Sequence, residues 1–176
     1  MELFTSFIGS GVSRREMSDA AYALVRYALA LRGVSGAQII RPRGGKPYLS
    51  AGRPFFSVSH SRGRVLAAVS DFPVGADIEC VREFSPQLAA RLFSESERRD
   101  FSFFEAWTLR ESVYKLTGRG ELRSMRMERR GGEVVTPFPG VRCRTYSVAG
   151  GFFASCAAYK GIFPSEIAEI PSSVLF

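Results

Sequence analysis

Residues 54–80, PFFSVSHSRGRVLAAVSDFPVGADIEC, hold three apolar runs separated by short turn-forming pieces. PFFSVSHS and RVLAAVSD read as two strands joined by the turn HSRG, and PVGADIECV reads as a third. The third run carries two acids two positions apart, Asp77 and Glu79. Alternate side chains of a strand share a face, so both carboxylates point the same way. Two like charges held half-buried beside each other are costly without a partner. The pair therefore calls for a cation.

Helical signals flank this strand-rich centre. In SRREMSDAAYALVRYALALRG, Met17, Ala20, Ala21, Leu24, Val25, Ala28 and Leu31 follow helical spacing, and Gly33 marks the stop. The stretch GAQIIRPRGGKPYLSAGRP reads as loops punctuated by proline and glycine. Downstream, SPQLAARLF opens on Ser85-Pro86, a favoured helix start. SESE at 94–97 has the pattern of a capping box, so a helix is expected from Ser94, continuing with a break to about Thr117 before Gly118 and Gly120. SMRMERR and GEVVT are strand candidates, and VRCRTYSV-AGG-FFASCAAY has the signature of a hairpin. The order αβββ–αα–βββ predicts an α+β fold with helices packed on antiparallel sheets.

The chain of 176 residues has the length of one domain, 1–176. A hydrophobic share of 45% and a charged share of 23% are those of a globular protein, and a net charge of +7 favours acidic or polyanionic partners. The three cysteines, Cys80, Cys143 and Cys156, form no CxxC pair, which argues against a zinc site or a disulfide framework. No signal-peptide pattern and no membrane-length apolar run occur, so a cytoplasmic protein with no membrane role is expected. The basic residues are scattered and most of the fifteen phenylalanines sit in apolar contexts that read as core, which disfavours a nucleic-acid-binding protein.

Glu111 and Lys115 stand four apart on the last long helix. Alone, such a pair is a surface contact of about 0.2–0.5 kcal/mol. Trp107, one turn earlier, turns that face toward the protein. Together, Asp77, Glu79 and Glu111 make a set of hard oxygen ligands, which suits Mg²⁺ sharing its shell with substrate phosphates. Lys46, Lys115, the lone histidine His60 and an arginine near the chain start supply positive charge for such phosphates.

The blocks GGKPYL, FFSVSHS, VGADIE, FSESE and FFEAWTLRESVYKLTGRG, in this order and spacing, resemble the 4'-phosphopantetheinyl transferases of the larger, single-chain, pseudo-dimeric type that activates surfactin synthetase. The resemblance implies two similar α/β halves, about 1–72 and 73–165, sharing one active site, and a monomer. It implies transfer of 4'-phosphopantetheine from coenzyme A to a serine of an apo acyl or peptidyl carrier protein, releasing adenosine 3',5'-bisphosphate. By the same resemblance, Asp77, Glu79 and Glu111 match Mg²⁺ ligands, and Lys115 matches a lysine on the diphosphate. Lys46, Pro47, Ser59 and His60 match positions that hold the nucleotide and phosphates of coenzyme A. Glu111 or a metal-bound water is the expected base. Two features depart from the pattern. Arg110 stands where the family usually has lysine, and the N-terminal half is short, leaving Arg14, Arg15 or Arg26 for the 3'-phosphate, with Arg15 as the candidate. Carrier docking is expected near VREFSPQLAARLF, flanked by Arg82 and Arg91. The alternative within the same resemblance is an inactive relative that binds carrier proteins.

Overall fold

A computed structural model of the chain describes residues 1–176. It is built from strands β1 (Glu2–Phe7), β2 (Ile39–Ile40), β3 (Tyr48–Leu49), β4 (Phe55–Ser61), β5 (Arg64–Ser70), β6 (Val74–Cys80), β7 (Glu128–Arg130), β8 (Glu133–Val135), β9 (Arg142–Val148), β10 (Phe152–Ala158) and β11 (Ala168–Glu169). The helices are α1 (Arg14–Leu31), α2 (Pro86–Leu92), α3 (Glu95–Asp100) and α4 (Phe103–Thr117). The α+β class and the largely antiparallel pairing agree with the sequence reading. No helix is long and apolar enough to cross a membrane.

Two sheets carry the structure, one ordered β11-β1-β5-β4 and the other β6-β10-β9. Helix α1 packs on the first through Ala20, Leu24, Val25 and Ala28 against Phe56, Val65, Ala67 and Val69. Helix α4 packs on the second, where Leu109 and Val113 meet Ala157. A third apolar cluster lies between the sheets, with Leu66 and Ala68 facing Val74, Ala76, Ile78 and Cys156. Successive residues of β5 thus enter different clusters, so every residue from Arg64 to Ser70 is buried.

Strand β1 was not expected from the sequence. Leu3 enters the cluster between the sheets and Phe4 the cluster beneath α1, so both faces are covered and no polar alternation marks it. The turn between β4 and β5 is tighter than HSRG: only Arg62 and Gly63 lie outside the strands, both with positive φ (43° and 81°), as a two-residue hairpin turn requires. A Cβ at Gly63 would also collide with the Gly9 carbonyl oxygen. Six of the fifteen phenylalanines are buried and Phe55, Phe103, Phe138 and Phe163 pack against the core clusters, while Phe7, Phe72, Phe84 and Phe176 are exposed.

Candidate active site at the seam between the sheets

Strand β6 is bonded on one side only, to β10. An edge of this kind leaves backbone donors to be satisfied. Alternate serines of β4 meet them. Ser57 Oγ accepts from the Ala76 N–H at 3.0 Å, and Ser61 Oγ accepts from the Cys80 N–H at 3.2 Å. The same row also grips the acids: Ser59 donates to Asp77 Oδ1 at 2.6 Å, and Ser61 donates to Glu79 Oε2 at 2.8 Å.

Helix α4 brings the second group of residues. Ser102 and Glu105 form its capping box, and Gly118 ends it in the left-handed conformation, φ 62°. Gly75 lets the helix press onto β6, because a Cβ there would collide with the Ser112 carbonyl oxygen and lie 2.6 Å from the Leu116 nitrogen. That approach sets Lys115 Nζ 2.7 Å from Asp77 Oδ1. Asp77 is only 4% exposed, and its second oxygen, Oδ2, is buried with no hydrogen-bond partner. Glu111, one turn before Lys115, is half-buried. Burial, then the charges of Asp77 and Glu79, raise its carboxyl above the usual range against the opposing pull of Lys115. The charges of Asp77 and Glu79 thus reach Glu111, yet no three His, Cys, Asp or Glu side chains are gathered as a metal-binding group.

A cleft of about 640 Å³ opens beside Lys115, lined also by Gly44, Gly45, Lys46, Pro47 and Tyr114. Lys46 is exposed as a residue, yet its ammonium donates to the Val74 carbonyl. Desolvation of that ammonium, and then the charge of Lys115, lowers Lys46 to about 8. His60 lies on the β4 face opposite Ser59, and its imidazole is lowered by burial and then by the charges of Lys115 and Arg14. Arg15 is not brought to this region; its side chain is 93% exposed and turned toward Asp19. Arg14 is the α1 arginine whose charge reaches His60.

Arg110 is wholly buried and faces away from this cleft. Its guanidinium bonds both oxygens of Glu97 (2.7 and 2.8 Å) and the carbonyls of Leu92 (2.8 Å) and Leu122 (2.9 Å). It ties α2, α3 and the chain after α4 to one point. Burial alone would raise the Glu97 carboxyl, but Arg110 and the N–H groups of Ser94 and Met127 hold it below its usual value. Capping-box spacing marked Glu97 in the sequence; its pairing with Arg110 had no local signal. Arg82, expected on a docking surface, also reaches Glu79 Oε2 at 3.4 Å while its side chain stays 44% exposed. Beside it, Phe84, Phe93, Phe101, Phe103 and Phe104 line an apolar hollow of about 380 Å³.

The profile of the 4'-phosphopantetheinyl transferase superfamily matches residues 73–136, a span that contains Asp77, Glu79, Glu111 and Lys115. The chain is a relative of the 4'-phosphopantetheinyl transferases. It is 38% identical over 85 residues to the 4'-phosphopantetheinyl transferase gsp of Aneurinibacillus migulanus, covering 39% of this chain and 36% of that protein. It is 31% identical over 135 residues to the 4'-phosphopantetheinyl transferase Sfp of Bacillus subtilis (strain 168), covering 65% and 59%. A third transferase, ffp of Bacillus subtilis, is 30% identical over 138 residues, covering 68% and 62%. The chain therefore spans less than two thirds of the length of each of these transferases.

Proposed function

We propose that this protein transfers the 4'-phosphopantetheine group of coenzyme A to a serine hydroxyl of an apo acyl or peptidyl carrier protein, with Mg²⁺ at the seam. One observation carries the reading. Asp77 is buried with Oδ1 held by Ser59 and Lys115 and Oδ2 left without a partner, beside Glu111, whose carboxyl is raised by burial and then by its acidic neighbours.

That donor set fits a hard divalent cation, since an orphaned buried carboxylate oxygen and two nearby carboxylates are what such an ion uses. Asp77, Glu79 and Glu111 would hold it. When bound, Mg²⁺ supplies neutralisation of the diphosphate and of charge developing on the leaving nucleotide. The chain's own groups do the rest. Lys46 and Lys115 offer ammonium groups to the phosphates at the cleft, and His60 adds a hydrogen bond in the same positive field. The carrier serine oxygen bonds to the phosphorus of the phosphopantetheine arm as the bond to the bridging diphosphate oxygen breaks, releasing adenosine 3',5'-bisphosphate. Glu111, with its raised carboxyl, takes the serine proton.

The shared arrangement of strand, helix and hairpin, with the third strand between the other two in β1-β5-β4 and in β6-β10-β9, supports reading 1–72 and 73–165 as two related halves. The apolar hollow at Phe84, flanked by the exposed Arg91 and Arg98, supports docking of an acidic carrier helix there. A monomer in the cytoplasm completes the reading. Mass spectrometry of an apo carrier protein incubated with this protein, coenzyme A and Mg²⁺ tests it. The carrier should gain one phosphopantetheine, only when all three are present. An unmodified carrier alongside bound coenzyme A and metal would identify an inactive relative instead.

A further inference from the structure

We propose that Ser59 and Ser61 are positioning residues for the acidic pair of β6, acting through Asp77 and Glu79 and not on coenzyme A. This rests on the metal reading above.

The two hydroxyls are committed. Ser59 is 9% exposed and Ser61 8% exposed, and neither lines the cleft beside Lys115. Ser59 spends its one proton on Asp77 Oδ1 at 2.6 Å. Ser61 spends its own on Glu79 Oε2 at 2.8 Å while its lone pair takes the Cys80 N–H. A hydroxyl has a single proton, so neither serine can donate to a phosphate without releasing its carboxylate. The consequence for Asp77 is directional. Ser59 and Lys115 both hold Oδ1, which fixes the carboxylate plane and leaves Oδ2 as the free oxygen. Hydrogen bonds of this kind to a ligating group commonly set metal affinity by roughly 10-fold to 100-fold. The row also links the sheets, because β4 belongs to one and β6 to the other. The acids on β6 are therefore oriented by the neighbouring sheet as well as by their own strand.

Ser57 supplies the control within the same row. It bonds the Ala76 N–H at 3.0 Å and touches no carboxylate. Ser57→Ala removes a buried seam hydroxyl that bonds only backbone, so a merely structural role predicts that all three serines affect Mn²⁺ alike.

The experiment is electron paramagnetic resonance titration of Mn²⁺ against the wild-type protein and Ser57→Ala, Ser59→Ala, Ser59→Thr and Ser61→Ala, with and without coenzyme A, alongside thermal melting. Coenzyme A affinity is measured separately without metal. We expect Ser59→Ala and Ser61→Ala to weaken Mn²⁺ about tenfold, Ser57→Ala to leave it unchanged at a similar loss in melting temperature, and Ser59→Thr to restore it. Metal-free coenzyme A affinity should not change in Ser59→Ala and Ser61→Ala, which lie outside the cleft that Ser57 lines. Equal Mn²⁺ affinity in Ser57→Ala and Ser59→Ala overturns the proposal, as does a Ser59→Ala defect confined to metal-free coenzyme A binding. Absence of Mn²⁺ binding by the wild-type protein in both conditions overturns the metal reading itself and the proposal with it.

Discussion

Helices α1 and α4 each cover one sheet, yet they bury different chemistry. The seven buried residues of α1 are Ala20, Ala21, Tyr22, Leu24, Val25, Ala28 and Leu29. Those of α4 include Thr108, Arg110 and Ser112 among Phe104, Ala106, Leu109 and Val113. Beneath α1 the sheet offers Phe4, Phe56, Val65, Ala67 and Val69, with Ser6 and His60 on the same faces, whereas beneath α4 it offers Gly75, Asp77 and Ser155, the last within 2.7 Å of Thr108. The first interface is held chiefly by apolar burial. The other needs each polar group to find a partner, since an unpaired one costs the desolvation it suffered. Asp77 Oδ2 is one of three buried side-chain atoms left without a partner, with Ser6 Oγ and Arg64 Nε, and it is the one where the chemistry is proposed.

The contrast breaks most sharply at Arg110. Arg110→Met leaves Glu97 buried without its partner, which should cost about 3–5 kcal/mol in urea unfolding. A loss near zero would show that the α4 layer tolerates unpaired charge. The pair also predicts pH dependence. Glu97 is held below its ordinary 4.5, so its contribution is present above that value and is lost as pH falls through the folded-state value. The wild-type urea midpoint should drop below pH 4.5, and Glu97→Gln should show a smaller drop.

The site residues themselves come next. Asp77→Asn and Glu111→Gln should each lower transfer roughly 100-fold to 1,000-fold while the fold survives. Their stabilities should differ in sign. Removing the Glu111 charge relieves repulsion from Asp77 and Glu79, so its melting temperature should hold or rise. Removing the Asp77 charge leaves Lys115 unpaired, so that variant should melt lower. Matching shifts would mean the two carboxylates are not coupled as described.

Close approach of α4 to β6 is a smaller term. Gly75→Ala forces the helix away from the strand and should cost about 3 kcal/mol, with transfer falling because Glu111 and Lys115 move together. An unchanged melting temperature would contradict the packing that sets Lys115 on Asp77. Smaller still is the effect of Lys46. Its ammonium titrates near 8, so between pH 7 and 9 the protonated fraction falls about tenfold, and coenzyme A affinity should fall with it. Lys46→Arg, which stays charged, should flatten that profile.

Much of this was legible in the sequence where the cause is local. Strands β4, β5 and β6 announced themselves by apolar runs and turns, Ser94 and Glu97 by their cap spacing, and Glu111 with Lys115 by one helical turn. What was hidden depends on partners far along the chain. Strand β1 is defined by β5 and β11, more than fifty residues away. Ser59 matches a coenzyme A position by resemblance alone, and nothing local to it or to Ser61 signals that Asp77 and Glu79, eighteen residues on, take their protons. Arg110 looked like a displaced site lysine, yet its donors point to Leu92, Glu97 and Leu122. Side-chain direction across a seam is not written in spacing.

The central claim is that the acids of the α4 layer and the phosphates of coenzyme A meet at one metal ion. Isothermal titration of coenzyme A with and without Mg²⁺, in the wild-type protein and in Asp77→Asn, measures this coupling directly, since two ligands that share a site must raise each other's affinity by the same factor. The account predicts that Mg²⁺ tightens coenzyme A about tenfold or more in the wild-type protein and leaves Asp77→Asn unchanged. Coenzyme A binding that is indifferent to Mg²⁺ in the wild-type protein, or equally enhanced in Asp77→Asn, would contradict it.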